Sequence, residues 1–178
     1  YARMRRDIDV LPPADADAFL QAHAGDAVGR AFREDWLAAL ARRQEWTRFD
    51  SAWRGDIERA SLRCLALVSR QHASRIDAEW MQAVRRQWLA AKPSPDECAP
   101  AFDEWRKRGG LDDALRWQRI DLAIAAEQPA VVRAAAEGLP DAARAQVLAY
   151  ADALGGRLDD AASTWPRDAR SRAVATRS

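Results

Sequence analysis

The chain has 178 residues, enough for one domain with a real core and short for two. Its formal net charge is +1, so no overall field selects nucleic acid or an acidic membrane surface. No apolar run approaches the roughly 20 residues needed to span a bilayer as a helix. Alanine dominates and Val, Ile and Thr are scarce, a bias that favours helix because alanine loses no side-chain entropy there and β-branched residues do.

Taken in chain order, the sequence reads as helices separated by short turns. Tyr1 opens without a start methionine, in a run (Tyr1-Ala2-Arg3-Met4-Arg5-Arg6) that reads as a helix already under way. A fragment or processed form is therefore expected, and missing targeting signals say nothing about compartment. After Pro12-Pro13, a short helix is expected over 15–24 and a long one over 26–43, with Phe32, Trp36 and Leu40 on one face. Further helices are expected over 45–54 (Trp46, Phe49, Trp53), 56–71 (Leu62, Cys64, Leu65, Val68) and 75–91 (Trp80, Val84, Trp88). Next come 96–108 (Phe102, Trp105), 111–127 (Trp117, Ile120, Ile124), 129–137, 141–154 and 158–164. A charged tail from Pro166 reads as helical again.

Arg108-Gly109-Gly110 and Leu154-Gly155-Gly156 read as left-handed helix stops, and Pro129 suits a first helical position. Turns this short make neighbouring helices antiparallel. Leu65-Ala66-Leu67, Leu122-Ala123-Ile124 and Leu148-Ala149-Tyr150 echo one another at irregular spacing. The expected fold is all-α: a single domain over 1–178, built as a right-handed superhelix of antiparallel helical hairpins, similar to tetratricopeptide-type solenoids. Such arrays generally serve as scaffolds or recognition surfaces.

The residues offer little chemistry. Eight tryptophans could form a sugar-stacking platform, but nearly all fall on apolar stripes at helical spacing and read as core. Trp165, just before Pro166, fits a stripe least well and is expected to be exposed. His23 and His72 have no companions at ligand spacing, so neither a metal site nor a cofactor is expected. Cys64 and Cys98 are too far apart for a Cys-x-x-Cys redox pair, which leaves two core thiols or one structural disulfide. Asp96-Glu97, Asp112-Asp113 and Asp159-Asp160 fall in first helical turns, where acids cap N–H groups. Glu34 and Asp35 fall mid-helix, and no pair of carboxyls stands out as a glycosidase site. There is no nucleophile elbow, phosphate-binding glycine loop or Cys/His nucleophile arrangement.

One stretch does carry a signature. Trp88-Leu89, Lys92, Pro95, Cys98, Phe102, Trp105 and Gly109 stand at the spacing found in the N-terminal helical domain of the soluble lytic murein transglycosylases, and the chain resembles that family. Ala91, Pro93 and Ala99 stand where the family has glycine, serine and aspartate. Leu40-Ala41-Arg42-Arg43 with Trp46 resembles the family's Leu-x-Arg-Arg-x-x-Trp turn, and Arg119-Ile120 with Leu122-Ala123 its Arg-Ile-x-Leu-Ala helix. The likeness is clear over roughly residues 1–140 and weak beyond.

The resemblance implies a disulfide between Cys64 and Cys98, and a periplasmic location. It further implies a ring-forming helical scaffold, with peptidoglycan glycan strands and the parent's catalytic and linker domains as partners. Parents of this kind cleave the bond between N-acetylmuramic acid and N-acetylglucosamine, leaving an anhydromuramic end. A single catalytic glutamate in a Glu-Ser motif, followed by Gly-Leu-Met-Gln, does that work. Neither motif occurs in this chain, so no catalytic residue is assigned and the chain alone is expected to be inactive. The alternative is a stand-alone helical-repeat adaptor for a protein partner.

Overall fold

A computed structural model describes residues 1–157 and 168–177. Every regular element among them is helical, as the alanine-rich sequence predicts. The helices are α1 (Ala2–Arg6), α2 (Pro13–Ala22), α3 (Ala27–Arg42), α4 (Trp46–Ala52), α5 (Ala60–His72) and α6 (Ala78–Trp88). After a 3-10 turn at Asp96–Cys98 come α7 (Ala99–Lys107), α8 (Asp113–Ala125), α9 (Pro129–Ala135), α10 (Asp141–Leu154) and α11 (Ala169–Ala175). The helix expected over 158–164 and the exposure expected of Trp165 lie outside the described residues.

The chain divides into two compact units, Tyr1–Trp80 with Pro95–Ala101, and Met81–Ser94 with Phe102–Ser178. The core of the first is built from α2 to α5 around Phe32, Trp36, Leu37, Leu40, Phe49 and Leu62, all within 2 % of full burial. Trp46 and Trp53 pack half-buried against it. The core of the second gathers Ile120, Ile124, Val132, Val147, Tyr150 and Val174 from α8 to α11, with Trp117 half-buried beside them. In both units the helix faces that bury are the stripes at i, i+3/i+4 spacing, as hydrophobic burial requires. The described tryptophans therefore serve mainly as core. Trp36, Trp80, Trp88 and Trp105 are buried, and the indole N–H of Trp80 donates to the Leu67 carbonyl at 3.0 Å.

Helix starts follow side-chain caps. Asp26, Asp112 and Asp168 each accept a backbone N–H from the first turn of α3, α8 and α11, and Asp77 accepts that of Trp80 in α6. Capping explains one departure from expectation. α6 begins after Asp77 rather than at Arg75, because Ser74 stands in the left-handed region (φ 55°) and closes α5. A second departure is the start of α5 at Ala60 instead of Asp56. Residues 53–59 form a non-helical link whose Ile57 is buried in the first unit's core.

Helix ends use the same geometry with different residues. Gly109 (φ 74°) closes α7, with the Gly110 N–H donating to the Trp105 carbonyl at 2.9 Å. Gln44, Ser74 and Glu127 do the equivalent for α3, α5 and α8 at φ 57°, 55° and 52°. Each is followed by an N–H that reaches back to the carbonyl five positions earlier: Glu45 to Leu40, Arg75 to Arg70 and Gln128 to Ala123.

Candidate functional site

The segment with the most distinctive sequence contributes to both units, and each part has its own role. In the first unit, Cys98 ends the 3-10 turn and is bonded to Cys64 of α5, with Cα atoms 4.7 Å apart and both side chains wholly buried. Pro95 opens that turn at φ −60°, and the Cys98 N–H donates to its carbonyl at 3.0 Å. The bond thus anchors the turn to α5, whose buried face carries Leu62, Cys64, Leu67 and Val68.

In the second unit, Trp88, Phe102 and Trp105 form an aromatic cluster. Trp88 meets Phe102 edge-on at 5.4 Å and Trp105 at 6.0 Å between ring centroids. Gly110 closes against Trp105 so tightly that a Cβ there would lie 2.0 Å from the indole nitrogen. Beside this cluster, α8 carries Arg119 in the register of its apolar stripe, one turn after Leu115 and one before Ala123, and its residue is only 4 % exposed. The guanidinium lies 4.2 Å over the Trp88 ring, and its Nη2 donates to Ser94 Oγ at 3.0 Å.

Burial pushes the Arg119 pKa down to about 10, so the group still carries its charge at neutral pH. Its Nε has no hydrogen-bond partner, nor has the buried indole N–H of Trp88. A desolvated cation–π contact is worth about 2 kcal/mol, less than the several kcal/mol that burying an ion costs. Arg119 also lines a pocket of about 280 Å³ with Trp88, Pro93, Ser94, Phe102, Val131 and Ala134, and with Arg106 and Glu137 among its remaining walls.

The first unit holds a larger cavity, about 430 Å³, among Asp17, Gln21, Arg33, Trp36, Arg48 and Arg54. Its arginines are largely occupied: Arg33 donates to the Ala52 carbonyl, Arg54 to the carbonyls of Ser51 and Trp53, and Arg48 pairs with Glu45. Arg33 has its pKa lowered, first by burial and then by Arg54. Among the described residues, no group of three or more His, Cys, Asp or Glu is placed to hold a metal ion. Glu34 and Asp35 belong to α3, where Asp35 accepts from the Tyr1 hydroxyl and pairs with Arg5. No helix among the described residues is long and apolar enough to cross a membrane.

The signature stretch, then, holds no reacting constellation. Its cysteine and aromatics build structure, and of the two buried, incompletely partnered polar groups there, the Trp88 indole N–H and the Arg119 Nε, only Arg119 carries a charge. Sequence reasoning used Arg119 only as part of a motif. The signal available was an arginine at a stripe position, where a charged residue is rarely buried without a reason.

Comparison with known proteins places these features in context. No family model matches the chain. The chain is 26 % identical over 143 residues to the soluble lytic murein transglycosylase of Salmonella typhimurium, and 24 % identical over 143 residues to that of Escherichia coli K12. Each alignment takes in 79 % of this chain, which spans only 22 % of the relative's length. Among solved structures, the 70-kDa soluble lytic transglycosylase in complex with bulgecin A superposes at a TM-score of 0.80 and 21 % identity, over 98 % of this chain and 28 % of that one. An inactive mutant of the lytic transglycosylase Slt from Pseudomonas aeruginosa gives 0.76 at 22 % identity, over 96 % and 28 %. The resemblance read from the Trp, Cys and Pro spacing thus holds over most of the chain, and the shared fold is helical.

Proposed function

We propose that residues 1–178 form a non-catalytic helical scaffold belonging to a lytic transglycosylase that acts on peptidoglycan. In this reading both units belong to one domain, whose helical hairpins position glycan strands and pack against the enzyme's catalytic and linker domains. The observation that carries it is the agreement with soluble lytic murein transglycosylases, in sequence over 79 % of the chain and in fold over 98 %. The Glu-Ser and Gly-Leu-Met-Gln motifs of the family do not occur in this sequence, which supports the non-catalytic reading. A wholly buried disulfide in the first unit fits an oxidising compartment, and together with the likeness to lytic murein transglycosylases it supports a periplasmic location.

Two assays test the proposal. In a peptidoglycan zymogram the 178-residue chain is expected to leave no clearing, and clearing would refute the non-catalytic role. In co-sedimentation with purified sacculi the chain is expected in the pellet. Recovery in the supernatant, together with capture of a protein partner, would instead favour a stand-alone adaptor.

A further inference from the structure

Arginine over an aromatic ring recurs in this molecule, and its charge is normally answered. Arg5 over Tyr1 pairs with Asp35, Arg43 over Trp36 pairs with Glu45, and Arg170 over Trp117 pairs with Asp121. Arg119 over Trp88 is the most buried of the four and has no carboxylate within salt-bridge distance among the described residues. Its side-chain hydrogen bond goes to a neutral hydroxyl, Ser94 Oγ, and its Nε is unpartnered. Arg170 lines a pocket too, but Asp121 stands in that wall beside it; Arg119 lines one with Trp88, Pro93, Phe102, Val131 and Ala134 and has no paired carboxylate there. A buried cation without a counter-ion at the wall of a concave apolar site is the arrangement expected of a receptor for an anion.

We propose that this pocket binds the carboxylate of a small apolar acyl amino acid or peptide C-terminus, with the carboxylate on Arg119. One guanidinium matches one carboxylate in charge and planarity, whereas a phosphate dianion calls for more positive charge than the site holds. Glu137 and Arg106 are the other charged walls, and Arg106 is already held by Asp103 and by the Phe102 carbonyl. Glu137 sets the ligand's polarity: its carboxylate repels a second anionic group and accepts an N–H. An amide N–H next to a carboxylate satisfies both ends. The alanines and Val131 leave room for methyl-sized side chains rather than large ones.

The test uses the 178-residue chain and isothermal titration with N-acetyl-Ala-Ala, its C-terminal amide, propionate and inorganic phosphate. The acetylated dipeptide is expected to bind at millimolar or tighter dissociation constant, and the amide at least tenfold more weakly. Equal binding of propionate identifies a free small acid as the source, and preference for the dipeptide identifies a peptide end; both keep the carboxylate site. Arg119→Gln is expected to abolish binding. Because that variant removes a buried group and can unfold, Ala134→Trp fills the pocket from the exposed helix face and leaves Arg119 in place. It is expected to melt like the parent and to bind at least tenfold more weakly. Equal affinity for acid and amide, phosphate binding tighter than the dipeptide, no binding of any probe, or undiminished binding to Ala134→Trp each overturns the proposal.

Discussion

Cys98 is bonded to Cys64 across 34 positions of sequence, both side chains lie at zero exposure, and the 3-10 turn thereby sits against the buried face of α5. Closing a loop of this length removes unfolded-state entropy worth roughly 4 kcal/mol in the chain-entropy model. The Cys64→Ala/Cys98→Ala double variant is expected to lose about 3–4 kcal/mol in urea unfolding. Alkylation of the non-reduced protein followed by mass spectrometry is expected to find neither cysteine modified. Two alkylated cysteines would remove both the staple and the argument for an oxidising compartment.

The approach of α2 to α3 yields a sharper packing test. A Cβ on Gly29 would lie 1.9 Å from the His23 carbonyl oxygen, a backbone atom that cannot rotate away. Gly25, four residues earlier, has nothing within 4 Å of the same position. Gly29→Ala is therefore expected to destabilise by about 2 kcal/mol or more, as overpacking does, and Gly25→Ala by much less. Thermal melts of the two variants side by side decide it, and equal melting temperatures would show that the helices do not meet this closely.

Much of this fold is legible in the sequence. α10 occupies 141–154 as its periodicity predicts, and the double glycine after Arg108 closes α7 at Gly109. What escapes is of two kinds. Gln44, Ser74 and Glu127 end helices in the left-handed region, which sequence reading assigns to glycine, so nothing local marks them. Ile57 is buried from a non-helical link, and its place in the first unit's core is a tertiary property that helical periodicity misassigns to α5. Arg119 escapes for a related reason: a stripe position reveals burial, but the missing counter-ion is visible only once α8, Ser94 and Trp88 are placed together.

Those left-handed residues carry a prediction of their own. A non-glycine residue there costs roughly 1–2 kcal/mol, part of which glycine returns as unfolded-state entropy. Gln44→Gly and Ser74→Gly, both exposed, are expected to stabilise by about 0.5–1 kcal/mol each and to be additive, since they close different helices. Glu127 is the poorer test because its carboxylate also faces Arg177 at 4.0 Å. Denaturant midpoints that fall in both glycine variants would contradict the left-handed assignment.

The acid limb of stability should report the helix caps. Asp26 and Asp77 have their pKa lowered from 3.8, first by the backbone N–H bonds they accept from Gly29 and Trp80 respectively. Asp168 is lowered in the same way, first by the Ser171 N–H. A folded-state value below the unfolded one means that the stabilisation is complete above the unfolded value. It is then lost as pH falls through the folded value, where the carboxylate takes up a proton. Stability is therefore expected to drop on acidification below about pH 4, the unfolded carboxylate range. An asparagine keeps the cap's acceptor and cannot titrate. The triple variant Asp26→Asn, Asp77→Asn, Asp168→Asn should therefore fold at neutral pH and show a flatter stability curve between about pH 4 and pH 2. Urea unfolding across that range measures the slope, and a slope equal to the parent's would place the acid sensitivity in groups other than these caps.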